Sequence, residues 1–476
     1  MRSSTLYAAQ QNNDRILSVG IRPKFIMIPL RRQKSIILQS LIAGAILFLC
    51  SSLCVLAETK ESERLHQMLG KKASVLFVDY NTGKTIFAHQ EKMPLIPAST
   101  QKLVTTWQAL ENLGAEFKFT TQISFDPKSK TLYLRGGLDP LMTTERLWLL
   151  ARGVKSRGVT SIKKIVIDSS ALVDGARDAL SDRAYDTSVT AFPVSFNSII
   201  VTACATELQK EKATVFGEPP ITTVTNGVSI GRGTAGFEAS ISDQNIIATR
   251  GKIEPGSCEV VTKALQDQEN GVKKAIAWVF REAGFSEFTV INGRAPSSAV
   301  NVYEFESPEL RKILVEMNHF SSNHIAQQLS CRLGGRGDVY SCSRGAQLLE
   351  EAARELFGDP SEVAVVDGSG LSRSNQISAR VLTKVILTLL RSPRNAVDFE
   401  ASLPVGGERG TIKKRDFGNL IVHAKSGSLN GVSSLAGVFY TIEGKRVVFS
   451  IILNEIELER AFKLQEELLQ VIARSL

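Results

Sequence analysis

The chain has 476 residues, 43% of them hydrophobic and 22% charged, with a formal charge of +9; it is too long for one hydrophobic core, and its balance excludes wholesale disorder. The charge is uneven: residues 1–57 carry seven Lys/Arg against one acid, Asp14, and the remainder carries 50 basic and 47 acidic residues. With no long basic run and no interleaved aromatic series in that remainder, nucleic-acid binding is set aside.

The leading segment reads as targeting. Arg31, Arg32 and Lys34 precede "SIILQSLIAGAILFLCSSLCVLA", and Val55-Leu56-Ala57 forms a small-residue cleavage site. Residues 1–57 are therefore expected to be a signal peptide with an extended N-terminus, and Met27 is an alternative start. The stretch is also long enough for an uncleaved anchor, which would associate the protein with a membrane. Either way the protein is expected to be exported, to a bacterial periplasm or cell-wall space.

Cys50 and Cys54 fall inside the apolar segment, leaving Cys204, Cys258, Cys331 and Cys342, which allow three pairings. Cys331 with Cys342 is preferred, closing the Gly-rich "RLGGRGDVYS"; buried thiols are the alternative. The five histidines show no metal-ligand spacing and no His-Glu-x-x-His occurs, so no metal or other cofactor is expected.

From Lys72, "ASVLFVDYNTGKTIFAHQ" predicts a β-hairpin around Asn81-Thr82-Gly83. Pro97 and Ser99 follow, then a helix whose Leu103, Val104, Trp107, Leu110 and Leu113 keep helical spacing up to Gly114. From about Phe117 to Arg294 short strands ("TLYLRGG", "KKIVIDSS", "NSIIVTA", "TTVTNGVSI", "NIIATRGKI") alternate with turns, interrupted by a helix near Thr144–Arg157. Helical patterns return in "SPELRKILVEMN", "NHIAQQLSCRLGG" and "SRGAQLLEEAARELFG", and again over 378–391 and 457–475. Between the last two, "LIVHAKSGSLNGVSSLAGVFYTIEGKRVVFSIILNE" alternates as antiparallel strands. The fold class is thus α+β: an antiparallel sheet flanked by helices, built from 58–116 and 295–476, with a β-rich insertion of one or two domains at 117–294.

In "IPASTQKLVTT", Ser99 and Lys102 lie three apart and share one helix face. A buried lysine beside another cation could take the serine proton and make a nucleophile, whereas alone the pair reads as a helix cap. A second Ser-x-x-Lys, Ser161 with Lys164, runs into a strand, where the side chains diverge. Lys425-Ser426-Gly427 is the chain's only Lys-[Ser/Thr]-Gly and lies on a strand: a charge for a carboxylate, a hydroxyl, and a glycine permitting close approach of a ligand backbone. Ser-x-Asn occurs at Ser195/Asn197, Ser321/Asn323 and Ser428/Asn430. Ser321 and Asn323 are preferred because they sit in a turn between two helices.

This order of three motifs, together with "RGGLDPLM", "AFPVSFNSI", "FSSNHIAQQL", "VVDGSGLSRSNQIS", "SLPVGGERGT" and "AKSGSLNGVSSLAG", closely resembles the D-alanyl-D-alanine carboxypeptidase/endopeptidase family of class C (type 4) penicillin-binding proteins. The resemblance runs from about Leu65 to the C-terminus. It implies the penicillin-binding/β-lactamase-like transpeptidase fold, and it accounts for the 222 positions between Ser99 and Ser321 by two inserted domains. By resemblance, Ser99 is the nucleophile, Lys102 its base and Ser321 the proton relay. Asn323, Lys425, Ser426, Gly427 and Ser428 bind substrate, with the Ser99 and Ser428 amides forming an oxyanion hole. The implied partners are peptidoglycan stem peptides, with β-lactams as inhibitors. Two departures, Ser322 for Asp or Asn and Ser426 for Thr, remove no required group. A β-lactamase would need a Glu-x-x-Leu-Asn or Tyr-x-Asn element, and neither occurs; a non-catalytic wall-binding protein is the third reading. His324 and Asp367 read as supporting residues, and Asp139-Pro140 as a turn.

Overall fold

The computed structural model describes residues 62–174, 181–209, 211–232, 236–357 and 359–476. The apolar segment expected to be a leader, with its expected cleavage site, lies outside these. The chain divides into two units, Met1–Glu63 and Arg64–Leu476, and every element below belongs to the second. Among the described residues no helix is long and apolar enough to cross a membrane.

The hairpin forms as β1 (Ala73–Asp79) and β2 (Thr85–His89), turning at Gly83 with φ +73°. A 3-10 turn, Ala98–Gln101, then leads into α1 (Lys102–Asn112), in which Lys102 through Leu110 are all buried. Such a helix is a central strut of the core, unlike an amphipathic surface helix.

The inserted block comprises β3 (Thr120–Asp126), β4 (Thr131–Arg135), α2 (Thr144–Ser156), β5 (Lys164–Asp168), β6 (Ser198–Cys204), β7 (Thr214–Glu218), β8 (Val224–Ile230), β9 (Glu238–Ile241), β10 (Ile247–Ile253), β11 (Cys258–Ala264), α3 (Gln268–Glu282), β12 (Thr289–Asn292) and β13 (Val300–Glu306). It forms three sheets, ordered β12-β5-β4-β3-β13, β11-β6-β7 and β8-β10-β9. One cluster, including Leu147, Leu150, Ile199, Ile276 and Phe280, serves all three. Two features differ from the sequence reading. Strand β13 lies past the boundary at 294/295 but pairs antiparallel with β3, so the block closes at Glu306. A second helix, α3, lies between its strands, with Val272, Ala275, Ile276, Val279 and Phe280 on its buried face.

The chain then returns through α4 (Leu310–His319), α5 (Asn323–Leu333), α6 (Cys342–Phe357), the short pair β14 (Val363–Ala364) and β15 (Gln376–Ile377), α7 (Ala379–Arg391), α8 (Ala396–Ala401), β16 (Ile421–Leu429), β17 (Val432–Tyr440), β18 (Arg446–Asn454) and α9 (Leu458–Arg474). The main sheet, β16-β17-β18-β1-β2, is antiparallel throughout. Strand periodicity decides its faces. In β18, Val447, Phe449, Ile451 and Leu453 join Leu468, Leu469 and Ile472 of α9, whereas Val448 and Ile452 join Leu103 of α1 and Val385 and Ile386 of α7. Each such side chain, removed from water, contributes roughly 1.5–3 kcal/mol.

Disulfides link Cys204 to Cys258 and Cys331 to Cys342. The first joins partners facing each other across β6 and β11.

Candidate active site

Ser99 does not cap a helix. It lies inside the 3-10 turn before α1, and neither Pro97 nor Gln101 supplies a side-chain cap there. The turn is pinned through Pro97, whose carbonyl accepts from Thr100 Oγ1 (2.7 Å) and Ser434 Oγ (2.6 Å). Ala98 within it has φ +47° and no exposure.

Lys102 Nζ meets Ser99 Oγ at 2.9 Å, Asn323 Oδ1 at 2.7 Å and the Ser369 carbonyl at 2.7 Å. The side chain is wholly buried. Burial lowers its pKa to about 7, against the pull of the Asp367 charge, which raises it. The neutral amine then has two N–H donors and one lone pair. Asn323 Oδ1 and Ser369 O can only accept, so they take the two N–H groups and the lone pair is left facing the Ser99 hydroxyl. The Asn323 orientation is fixed by its other end, since Nδ2 donates to the Tyr185 carbonyl at 3.0 Å.

Ser321 follows α4 with φ +55°, a left-handed residue that breaks the helix, and Ser322 caps α5 by accepting from the Ile325 N–H. Lys425 Nζ donates to Ser321 Oγ at 2.9 Å and to the Ser426 carbonyl at 2.6 Å. It too is fully buried, and desolvation, then the nearby Lys102, holds its pKa well below the lysine range. The Lys102 charge thus discourages a proton on Lys425.

Gly427 serves a closer neighbour than a ligand backbone. A Cβ there would meet Ser434 Oγ at 2.4 Å, Ser99 N at 2.7 Å and Pro97 O at 2.9 Å. The glycine therefore lets β16 press against the Ser99 turn itself. The Ala424 N–H points away from β17, to Pro404 O, so the two-residue period puts the Ser426 and Ser428 amides on the same outer edge. The Ser428 amide therefore lies on that edge next in sequence to Gly427, which packs against the Ser99 turn.

The structure thus gathers Ser99, Lys102, Ser321, Asn323, Lys425, Ser426, Gly427 and Ser428 into one cleft. The competing Ser195–Asn197 forms a 3-10 turn before β6 in the inserted block, and Ser161 stands before β5 and Lys164 at its start.

Three contributors were not legible. Ser369 acts through its carbonyl, presented by a loop wound around Asp367, which accepts from the Ser369, Gly370 and Ser372 N–H groups. Gly370, at φ +81°, packs where a Cβ would lie 1.8 Å from Ala98 O. Tyr185 likewise acts through a carbonyl, on an inserted loop tied to α5 by Gln328 Nε2 donating to Thr190 O and by Thr187 Oγ1 against His324 Nδ1. His324 is buried, and desolvation lowers its pKa to about 3, so it stays neutral as a wall anchor. Thr411 meets Ser426 at 2.7 Å, Ser426 Oγ donating.

Comparison with known proteins places this geometry in a family. The chain is 29% identical over 428 residues to a D-alanyl-D-alanine carboxypeptidase of an Actinomadura species, covering 81% of this chain and 78% of that protein. It is 24% identical over 429 residues to the D-alanyl-D-alanine carboxypeptidase DacB of Haemophilus influenzae, covering 82% and 87%. The crystal structure of penicillin binding protein 4 from Haemophilus influenzae superposes with a TM-score of 0.69 at 22% identity, over 87% of this chain and 98% of that one; the two share the α+β penicillin-binding fold. Residues 57–475 match the family model itself, and the chain belongs to the D-Ala-D-Ala carboxypeptidase 3 (S13) family.

Proposed function

We propose that this serine-type D-Ala-D-Ala carboxypeptidase works through an acyl-enzyme on Ser99. The Ser99 hydroxyl attacks the carbonyl carbon between the two terminal D-alanines of a stem peptide while the neutral Lys102 amine accepts its proton. The Ser99 and Ser428 N–H groups face the oxyanion that forms. As the C–N bond breaks, the Ser321 hydroxyl gives its proton to the departing D-alanine amine and takes in its place the proton that Lys102 accepted from Ser99, while Lys425 holds the Ser321 hydroxyl in position. Asn323 binds the acyl side, and Lys425 with Ser426 holds the terminal carboxylate. Water then attacks the ester, Ser99 recovers its proton, and the shortened peptide leaves.

The observation that carries this reading is the Lys102 environment: two acceptor-only partners and a buried amine leave one lone pair directed at Ser99. A β-lactam presents an amide carbonyl and a carboxylate in the same relation, so penicillin is the inhibitor expected at Ser99. The two disulfides fit an exported protein, placed in the periplasm or cell-wall space, and peptide crosslinks with the same D-Ala bond are further substrates. The test is labelled penicillin with wild type and Ser99→Ala, alongside D-alanine release from muropeptides. Labelling and release confined to wild type are expected; a Ser99→Ala protein that still labels would contradict the mechanism.

A further inference from the structure

We infer that Thr411 is a specificity-determining residue that touches substrate, sharing the terminal carboxylate with Ser426 so that peptides ending in a free carboxylate are selected. The inference rests on the peptidase reading above. Ser426 Oγ and Thr411 Oγ1 lie 2.7 Å apart. Of their two hydroxyl protons one is used between them, and among the described residues the other has no acceptor. Ser426 is half-buried and Thr411 exposed, so both hydroxyls can be reached from solvent.

The position of Thr411 is held from both sides. Gly410 before it has φ +73°, and a Cβ there would meet Pro404 Cβ at 2.8 Å. Ile412 after it is fully buried, and Arg415 is tied to α9 through Phe462 O and the Gln465 and Glu466 side chains. Chain direction supplies the second argument. Gly406 N–H donates to Val422 O (2.9 Å) and Ala424 N–H to Pro404 O (3.0 Å), so residues 404–406 extend the sheet along the outer edge of β16 and stop there. The edge is open only from about Ser426 toward Ser428. A peptide paired alongside β16 with its scissile carbonyl near Ser428 therefore meets this end stop one residue later, where the Thr411 hydroxyl has a proton to donate to one carboxylate oxygen and the Ser426 hydroxyl turns from Thr411 to the other. Hydrogen bonds from hydroxyls to an ionised carboxylate are short and strong, and neither hydroxyl gains the same from an amide.

The experiment compares wild type, Thr411→Val and Thr411→Ser on a stem peptide ending in D-Ala-D-Ala and on the same peptide with its terminus amidated. Thr411→Val is expected to lower kcat/KM on the acid about ten- to a hundred-fold, mostly through KM, while leaving the already slow amide unchanged. Thr411→Ser should stay within about two-fold of wild type. Equal rates for Thr411→Val and wild type on the acid, or equal losses on acid and amide, would overturn the inference; the second result would mean that Thr411 only holds Ser426. These outcomes presuppose a wild-type penicillin adduct on Ser99, whose absence would contradict the peptidase reading itself.

Discussion

The main lobe and the inserted block contribute to the cleft in different currencies. The main lobe supplies side chains, Ser99 and Lys102 from one turn and helix, Ser321 and Asn323 from a helix junction, Lys425 and Ser426 from an edge strand, together with the Ser369 carbonyl that holds Lys102. The inserted block supplies a main-chain carbonyl, Tyr185 O, which fixes the Asn323 amide and so decides which atom faces Lys102. In the proposed mechanism the chemistry depends on the first set and its precise presentation on the second. Changes in the main lobe should therefore abolish turnover, and changes in the inserted block should reduce it.

The largest effect is expected at the nucleophile and its base. Ser99→Ala should abolish acylation by penicillin, since no hydroxyl remains to form the ester, and Lys102→Met should lower it by about a thousand-fold or more, since positioning remains but nucleophilic activation is lost. Lys102→Met also has a thermodynamic signature. A lysine held near 7 when folded and near 10.5 when unfolded leaves the unfolded chain with more bound protons between those values, so stability rises with pH across that window. Lys425, lowered in the same direction, adds to the rise. Lys102→Met should reduce that slope without erasing it, measured as chemical-denaturation stability from pH 7 to 10.

A smaller effect is expected where the two regions touch. His324→Leu removes the Thr187 contact that helps seat the Tyr185 loop; acylation should fall about ten-fold, the scale of one lost hydrogen bond to a polar centre. A loss as large as that of Lys102→Met would break the distinction between the two regions. The smallest catalytic effect belongs to the pair Cys204→Ser and Cys258→Ser, which open a crosslink within the inserted block. Stability should drop by about 2–4 kcal/mol, while acylation of the folded enzyme at low temperature changes less than about two-fold.

The same division explains what the sequence disclosed. Ser99 and Lys102 are legible because residues three apart share a face, and Lys425-Ser426-Gly427 because its residue types are unusual together. Helix α7 is legible from the helical spacing of its buried residues, and strands β17 and β18 from apolar runs buried along nearly their whole length. Ser369 and Tyr185 were not, because a carbonyl contributed by the main chain leaves no residue-type signature; only the Asp367 turn and the conformation at Gly370 place it. Gly427 was read for the right property and the wrong neighbour, since only the packing reveals that the Ser99 turn occupies the space. The helical spacing of Val272, Ala275, Ile276, Val279 and Phe280 in α3 was available, but the β-branched runs on either side obscure it. The pairing of β13 with β3 past position 294 was not legible because the partners lie 175 to 186 positions apart, a non-local contact that no window of sequence contains.

The central claim is that Lys102 acts as a neutral base. Its most direct measurement is the pH dependence of the rate constant for penicillin acylation of Ser99. Below its pKa, Lys102 donates to all three partners and offers no lone pair; above it, the lone pair faces the Ser99 proton. The rate should therefore climb with pH and reach half its plateau near pH 7, with that limb lost in Lys102→Met. A rate that stays flat from pH 5 to 9, or that climbs only toward pH 10, would contradict the account.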